Sequence, residues 1–163
     1  MSYPPQRYTA STGEASATRR PQGHPPELTR ADGGAVHYLA TSVTTSGEFG
    51  LYRWEMGAAP SGPDPHFHRT ISESFYVLHG TIGLYDGRQW MDAAPGDFLF
   101  VPPGGIHAFR NSSGEPAAML LLFAPGAPRE DYFEELVDIA ASGRQLSVQE
   151  WTELYARHDQ YMV

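Results

Sequence analysis

Short runs in which hydrophobic and polar residues alternate, separated by turn residues, occupy positions 35–124. A period of two is typical of β-strands, because successive side chains point to opposite faces of a sheet. Eight strands are predicted, at Ala35–Thr44, Glu48–Met56, Ser74–His79, Thr81–Tyr85, Gln89–Asp92, Phe98–Val101, Ile106–Arg110 and Ala117–Ala124. Many short strands with no helix between them predict an all-β sandwich or barrel and exclude a parallel α/β sheet.

The residues after Pro125 change to a helical period. Hydrophobic residues recur every three or four positions over Arg129–Ser142, and Gly143 can end that helix. Ser147 and Glu150 have the spacing of a capping box, which predicts the start of a second helix. We interpret the excess of acidic residues in this region as a solvated outer face. The apolar faces of the two helices then need the barrel, or a second subunit, to cover them.

The chain divides into three segments. Residues 1–34 are rich in Pro, Ser, Thr and Arg and have almost no apolar periodicity, which predicts an N-terminal arm, extended or partly ordered. Residues 35–125 form the predicted β-barrel, and residues 126–163 form a C-terminal tail with a pair of α-helices. A chain of 163 residues is the right size for one domain.

The composition excludes several kinds of site and partner. The chain has no cysteine, so it contains neither disulfides nor thiolate metal ligands. Its net charge of −8 argues against nucleic acid as a partner. The longest apolar run, Ala117–Ala124, is far shorter than the roughly 20 residues of a membrane-spanning helix, and the first thirty residues lack the apolar block of a signal peptide. We therefore expect a cytoplasmic protein with no nucleic-acid or membrane partner.

Three histidines and one glutamate are candidate metal ligands. His66 and His68 are two positions apart, so in a strand both imidazoles point to one face. Glu73 precedes the next strand and can reach the same face, and His107 lies in a later strand. Such a nitrogen and oxygen site suits one divalent first-row transition metal per chain: Fe, Mn, Ni, Co, Cu or Zn. The alternative is that these histidines are core or turn residues of a protein that binds no metal.

Two segments resemble the sequence motifs of the cupin superfamily. In the first, His66 and His68 are followed after four residues by Glu73 and after six more by Gly80. Its leading glycine departs from the pattern, because Gly62 stands four residues before His66 rather than six. The second runs from Gly96 to Asn111 and matches at each of its spaced positions, which include Pro102, Gly104 and His107.

The resemblance covers roughly residues 35–125 and implies a double-stranded β-helix, the jelly-roll barrel of cupins. It implies that His66, His68, Glu73 and His107 bind the metal, and that Asn111 is a structural or pocket-lining residue. A single barrel with a helical tail is most similar to the quercetin dioxygenase-like monocupins. By the same resemblance we expect a homodimer, since cupin barrels commonly pair.

Alternating aromatic and apolar side chains on the strands are candidates for a substrate pocket around the metal. The predicted pocket residues are Tyr52, Trp54, Phe75, His79, Phe109, Met119 and Phe123. These alternating side chains can also be ordinary core residues that line no pocket. His79 can also lie at the rim of the barrel. An apolar, aromatic wall favours a flat organic substrate over a polar sugar.

The function that these observations favour is a metal-dependent dioxygenase acting on an enolic or phenolic small molecule, such as a flavonol, a diketone or an aromatic polyketide-like compound. The resemblance to quercetinase-type cupins implies that Glu73 is also the catalytic base, and its carboxylate is the only obvious base among the candidate metal ligands. One alternative is a non-redox isomerase, decarboxylase or cyclase that uses the same metal as a Lewis acid. Another is a small-molecule binding module without catalysis.

Overall fold

The computed structural model describes residues 2–163, which form eleven strands and two helices. The strands are β1 (Leu28–Thr29), β2 (Ala35–Ala40), β3 (Gly50–Met56), β4 (His66–Phe67), β5 (Ser72–His79), β6 (Ile82–Tyr85), β7 (Trp90–Ala93), β8 (Phe98–Val101), β9 (Ala108–Arg110), β10 (Ala117–Ala124) and β11 (Tyr161–Met162). The helices are α1 (Arg129–Ser142) and α2 (Val148–Arg157). All strand pairings are antiparallel.

The strands form a large sheet and two small ones. The large sheet has the order β1-β2-β3-β10-β5-β8, a three-stranded sheet has the order β7-β6-β9, and β11 pairs with β4. Several neighbours in these sheets, such as β3 and β10, β5 and β10, and β6 and β9, are distant in the chain, as expected when a double-stranded β-helix folds back on itself. This architecture confirms the predicted fold class.

The core lies between the large sheet and the three-stranded sheet. Alternate residues of β3, β5 and β10 point inward, and their pairing aligns Leu121 with both Tyr52 and Phe75. From the opposite sheet, Phe109 packs against Trp54 and Phe75 at ring-centroid distances of 6.1 and 5.9 Å. The inward positions of the three central strands are thus buried, and those of the smaller sheet close over them.

None of the two-residue strands is among the eight strands predicted from the sequence. β1 lies inside the segment assigned to the N-terminal arm and pairs with β2, so the last part of that arm joins the large sheet. β11 lies near the end of the helical tail and pairs with β4, which begins at a candidate metal ligand. Pairs this short show no alternation of hydrophobic and polar residues, so periodicity gives no signal for them.

Both helices have the predicted termini. Gly143 ends α1 with a left-handed backbone, at φ 67°, and Ser147 and Glu150 form the capping box of α2. Phe133 of α1 packs edge-on against Tyr52 and Trp54, so the barrel covers the apolar side of this helix. No helix among residues 2–163 is both long and apolar enough to cross a membrane.

Candidate metal centre

His66, His68, Glu73 and His107 converge inside the barrel from three separate segments of the chain. His66 begins β4 and His68 follows it, Glu73 lies at the start of β5, and His107 immediately precedes β9. His66 and His107 donate backbone hydrogen bonds to each other's carbonyl oxygens, at 3.0 and 2.9 Å. This isolated pair of bonds holds the two imidazoles close together, with centroids 4.4 Å apart and ring planes tilted by 55°.

The four side chains can offer a small ion one ligand atom each. Those atoms all lie within 4.8 Å of one another, and each residue is at most 4% exposed. The Glu73 Oε2 atom is 2.8 Å from His107 Nε2 and 3.1 Å from His68 Nε2. Glu73 therefore faces two imidazole nitrogens from the opposite wall.

A backbone carbonyl oxygen accepts a hydrogen bond from the other ring nitrogen of each histidine. His66 Nδ1 donates to Asp64 at 2.8 Å, and His107 Nδ1 donates to Gly105 at 2.9 Å. His68 Nδ1 donates to Asp159 at 2.6 Å. A proton on Nδ1 leaves Nε2 with its lone pair directed into the cluster, which is how protein side chains orient metal-bound imidazoles.

The charges of the cluster suit a cation. Burial and the neighbouring His107 lower the pKa of His66 to about 4, so this imidazole is neutral at pH 7. Burial alone would raise the pKa of Glu73, but hydrogen bonds with His107 and His68 hold that pKa below its ordinary value. Because Nδ1 of each histidine already carries a proton, its Nε2 can bind the carboxylate only through a second proton or a shared cation. Three imidazoles and one carboxylate therefore fit a divalent transition metal.

A cavity of about 630 Å³ adjoins the cluster. His66 and Glu73 belong both to the cluster and to the cavity wall, so a molecule in the cavity can reach the metal position. Of the predicted pocket residues, Trp54, Phe109 and Phe123 line this cavity. The structure brings these three and the metal cluster together at one site.

The other four predicted pocket residues lie outside the cavity wall. Tyr52, Phe75 and Met119 are completely buried, since their side chains pack into the core. His79 shares the strand parity of Glu73 but lies at the end of β5, where it is exposed. The prediction of these four as pocket residues is corrected accordingly: strand parity identifies the inner face of a sheet, but not which part of that face adjoins a cavity.

Several cavity residues come from segments that the sequence assigned to other roles. Leu28 and Arg30 come from the end of the N-terminal arm, Tyr132 and Phe133 from α1, and Gln160 from the C-terminal segment. Arg129, the first residue of α1, also lines the cavity and is only 4% exposed. The only sequence signal for Arg129 is its position, because the first turn of a helix favours acidic rather than basic side chains.

Comparison with known proteins identifies relatives that share this region. A family model described as Cupin domain matches residues 52–123, a range that includes all four candidate ligands. Quercetin 2,3-dioxygenase of Bacillus subtilis is 31% identical over 109 residues, which are 65% of this chain and 31% of that enzyme. The polyketide synthase CurC of Streptomyces cyaneus is 31% identical over 106 residues, which are 63% of this chain and 67% of that protein.

Solved structures share the fold. KdgF from a Halomonas species aligns with a TM-score of 0.57 at 16% identity, over 68% of this chain and 96% of that one. At this identity the likeness concerns the fold alone. The chain spans about a third of the length of the quercetin dioxygenase and two thirds of that of CurC.

Proposed function

Since this chain belongs to the cupin superfamily, we propose that it is a metal-dependent dioxygenase that acts on an enolic or phenolic small molecule. The observation that carries the proposal is that His66 and Glu73 belong at once to a buried ligand cluster and to the wall of a large cavity. A structural metal would have no need of such access, whereas a catalytic metal keeps a position open to substrate. Similarity to the quercetin dioxygenase supports the choice of reaction.

In the proposed reaction, the metal ion, Glu73 and the apolar cavity wall have separate roles. A divalent metal ion, when bound, acts as a Lewis acid that polarises a substrate oxygen. Glu73 accepts the hydroxyl proton of an enol or phenol, because its carboxylate is the only one in the cluster. O2 is the oxidant, and both of its atoms enter the product. The apolar wall excludes water from the deprotonated substrate, which protects that species from reprotonation.

The cavity favours a flat, mainly apolar substrate. Trp54, Phe109 and Phe123 present aromatic rings on one side, and Tyr132 and Phe133 of α1 present two more. Aromatic walls bind planar rings by offset or edge-to-face contacts. A volume of about 630 Å³ is within the range of pockets that enclose ligands of drug-like size. Flavonols, diketones and aromatic polyketide-like compounds have these properties.

Oxygen uptake tests the proposal directly. The protein is loaded in turn with Fe(II), Mn(II), Ni(II), Co(II), Cu(II) and Zn(II), and each form is mixed with flavonols and β-diketones in an oxygen electrode. We expect uptake that depends on both metal and substrate. The Glu73→Gln variant is expected to lose it, whereas Glu153→Gln, which changes an exposed glutamate of α2, is expected to keep it. Absence of oxygen uptake with every metal and substrate would contradict the proposal.

A second candidate is a non-redox reaction, such as a cyclisation, that uses the same cluster. The similarity to the polyketide synthase CurC favours it, because that match covers two thirds of the relative's length. Conversion of a polyketide-like substrate without oxygen uptake would support this candidate over the dioxygenase. Tight binding without any conversion would instead support a binding module.

A further inference from the structure

The guanidinium group of Arg129 is buried in the cavity wall without a carboxylate partner. No Asp or Glu oxygen among residues 2–163 lies within 4.0 Å of it, whereas Arg30, the other arginine on the wall, pairs with Asp32 at 2.5 Å. Burial lowers the pKa of Arg129, yet an arginine keeps its charge in proteins. The carboxylates of Glu73 and Asp159 attract this charge from beyond contact distance, but neither forms an ion pair with it. A buried charge is costly unless an opposite charge is in direct contact with it.

The contacts of Arg129 satisfy only part of its hydrogen-bonding capacity. Its Nη1 donates to the His158 carbonyl oxygen at 2.7 Å, and its Nη2 donates to Gln160 Oε1 at 3.4 Å. Its Nε has no acceptor within hydrogen-bond distance in the described chain, although it is fully buried. The remaining neighbours are aromatic faces, with Tyr132 at 4.6 Å from the guanidinium carbon to the ring centre and Phe123 at 5.1 Å.

A second buried donor without an acceptor lies on the same wall. The indole Nε1 of Trp54 is buried and has no hydrogen-bond partner among residues 2–163. Both donors adjoin Phe133, whose ring centre is 5.1 Å from that of Trp54 and 5.6 Å from the guanidinium carbon of Arg129. This part of the cavity wall therefore carries a positive charge, which matches a ligand that brings acceptor oxygens and a negative charge. The two unpaired N–H groups lie beneath the cavity surface, so a ligand oxygen reaches them only if the side chains move.

The position of Arg129 in the chain also points to a role beyond folding. It is the first residue of α1, where the helix dipole disfavours a cation. Burial, the absence of an anionic partner in direct contact and an unfavourable helix position all act against the stability of the ligand-free protein. Such local conflicts are characteristic of functional positions.

We propose that Arg129 is a specificity residue that binds a carboxylate group of the substrate, while another oxygen of the same molecule faces the metal cluster. This inference rests on the proposed function and narrows its substrate class to planar aromatic or enolic compounds that carry a carboxylate. The aromatic rings of the cavity wall bind the body of such a molecule. A neutral analogue brings no negative charge into contact with the Arg129 guanidinium, so it binds more weakly.

Matched acid and amide probes test this proposal by equilibrium binding. The probes are benzoate, 2-naphthoate and anthracene-2-carboxylate, each paired with its primary amide, which has nearly the same shape and no charge. Binding to the Zn(II)-loaded protein is measured by calorimetry. We expect at least one acid to bind about 10-fold tighter than its amide or better, as for a charge-assisted hydrogen bond in a buried site. Failure of every acid to bind up to about 1 mM, or equal affinities of acid and amide, would overturn the proposal.

Variants of the two cavity arginines assign the preference to a residue. Arg129→Gln is expected to bring the ratio of acid to amide affinity close to one, and Arg129→Lys to retain part of it. Arg30→Gln is the matched control, expected to change the ratio by less than about 3-fold because Asp32 already neutralises Arg30.

A preference for the acid that survives in Arg129→Gln would mean that the metal binds the carboxylate. A preference lost equally in Arg30→Gln would mean that it arises from the general cavity charge. Either result overturns the assignment.

Two features keep the test independent of other failures. Metal content and circular dichroism show whether each variant is folded, and if Arg129→Gln does not fold, the wild-type ratio and the Arg129→Lys variant still decide. The readout requires neither oxygen nor turnover. Absence of oxygen uptake would thus overturn the dioxygenase proposal alone, whereas absence of an acid preference would overturn the role of Arg129 alone.

Discussion

At the residue scale, the three histidines of the candidate metal cluster differ in how their rings are oriented. The carbonyl oxygens that accept from His66 and His107 belong to Asp64 and Gly105, each two residues earlier in the chain. The acceptor for His68 belongs to Asp159, 91 residues away. The Asp159 carboxylate also accepts from the backbone N–H groups of Arg69 and Thr70. Two rings are therefore oriented by local turns, and the third depends on the C-terminal segment.

Metal content distinguishes histidines of the cluster from histidines elsewhere. Wild-type protein purified without an affinity tag is expected to contain about one transition metal ion per chain, and His107→Ala close to none, because a buried ligand is lost and the carboxylate of Glu73 keeps only one of its two histidine partners. His79→Ala is the control, since His79 is exposed and outside the cluster. Elemental analysis measures the content. Full occupancy in His107→Ala would refute the ligand assignment.

Asn111, the last residue of the second motif, has a structural role. Its side-chain nitrogen donates to the carbonyl oxygens of Gly57 and Glu115, and its oxygen accepts from the backbone N–H and the hydroxyl of Ser113. It is completely buried and does not line the cavity. The amide is thus fully satisfied and joins the loop after β3 to the loop between β9 and β10.

Asn111→Asp tests that role. The change places a carboxylate oxygen against two carbonyl oxygens, and we expect the free energy of unfolding to fall by about 3 kcal/mol. Urea denaturation measures the loss, and Gln22→Glu, at an exposed position of the arm, is expected to have little effect. At low temperature the folded variant is expected to keep its metal. Loss of metal without loss of stability would instead make Asn111 part of the metal site.

At the element scale, the short strand β11 connects the C-terminal segment to the metal centre. It pairs with β4, placing Met162 opposite His66 and Tyr161 opposite Phe67. The rings of Tyr161 and Phe67 stack with centroids 5.3 Å apart, and the backbone N–H of Val163 donates to the Pro65 carbonyl oxygen. β4 therefore has its position fixed by the last residues of the chain.

Removal of residues 161–163 tests this dependence. The deletion leaves Asp159 in place but removes the pairing of β4, so we expect metal affinity to fall by about 10-fold, as when groups that orient ligands are lost. Competition with a fluorescent chelator measures the affinity. Deletion of residues 2–6, which are exposed in the arm, is the control and is expected to leave it unchanged. Equal affinities in both truncated proteins would show that β11 does not support the site.

The elements that the sequence predicts well are those whose pattern is local. β10 and α1 have the predicted bounds because eight and fourteen residues are enough to show a period. The ligand cluster was predictable because motif spacing places all four residues. Arg129 was not, since a basic residue within an acidic amphipathic segment suggests a solvated surface. Its burial follows only from the packing of α1 against Phe123 and the C-terminal segment.

At the scale of the whole molecule, all three segments of the chain contribute residues to the cavity wall. The end of the arm contributes Leu28 and Arg30, the barrel contributes the ligands and aromatic strand residues, and the tail contributes Arg129 and Phe133. No single segment encloses the cavity. The ligands, too, come from β4, from β5 and from the residue before β9, so an ion bound there would connect separate sheets of the barrel.

Metal binding is therefore expected to stabilise the entire fold rather than one loop. An ion present at about 100 times its dissociation constant, and bound only by the folded state, adds about 2.7 kcal/mol to the free energy of unfolding. For a chain of this size that corresponds to a rise in Tm of about 5–10 °C. Calorimetric unfolding before and after chelation, followed by restoration of the metal, measures the shift. His107→Ala is expected to show no shift in either direction, because its cluster lacks one ligand. An unchanged Tm in the wild-type protein, at proven full occupancy, would mean that the metal contributes no free energy to the folded state.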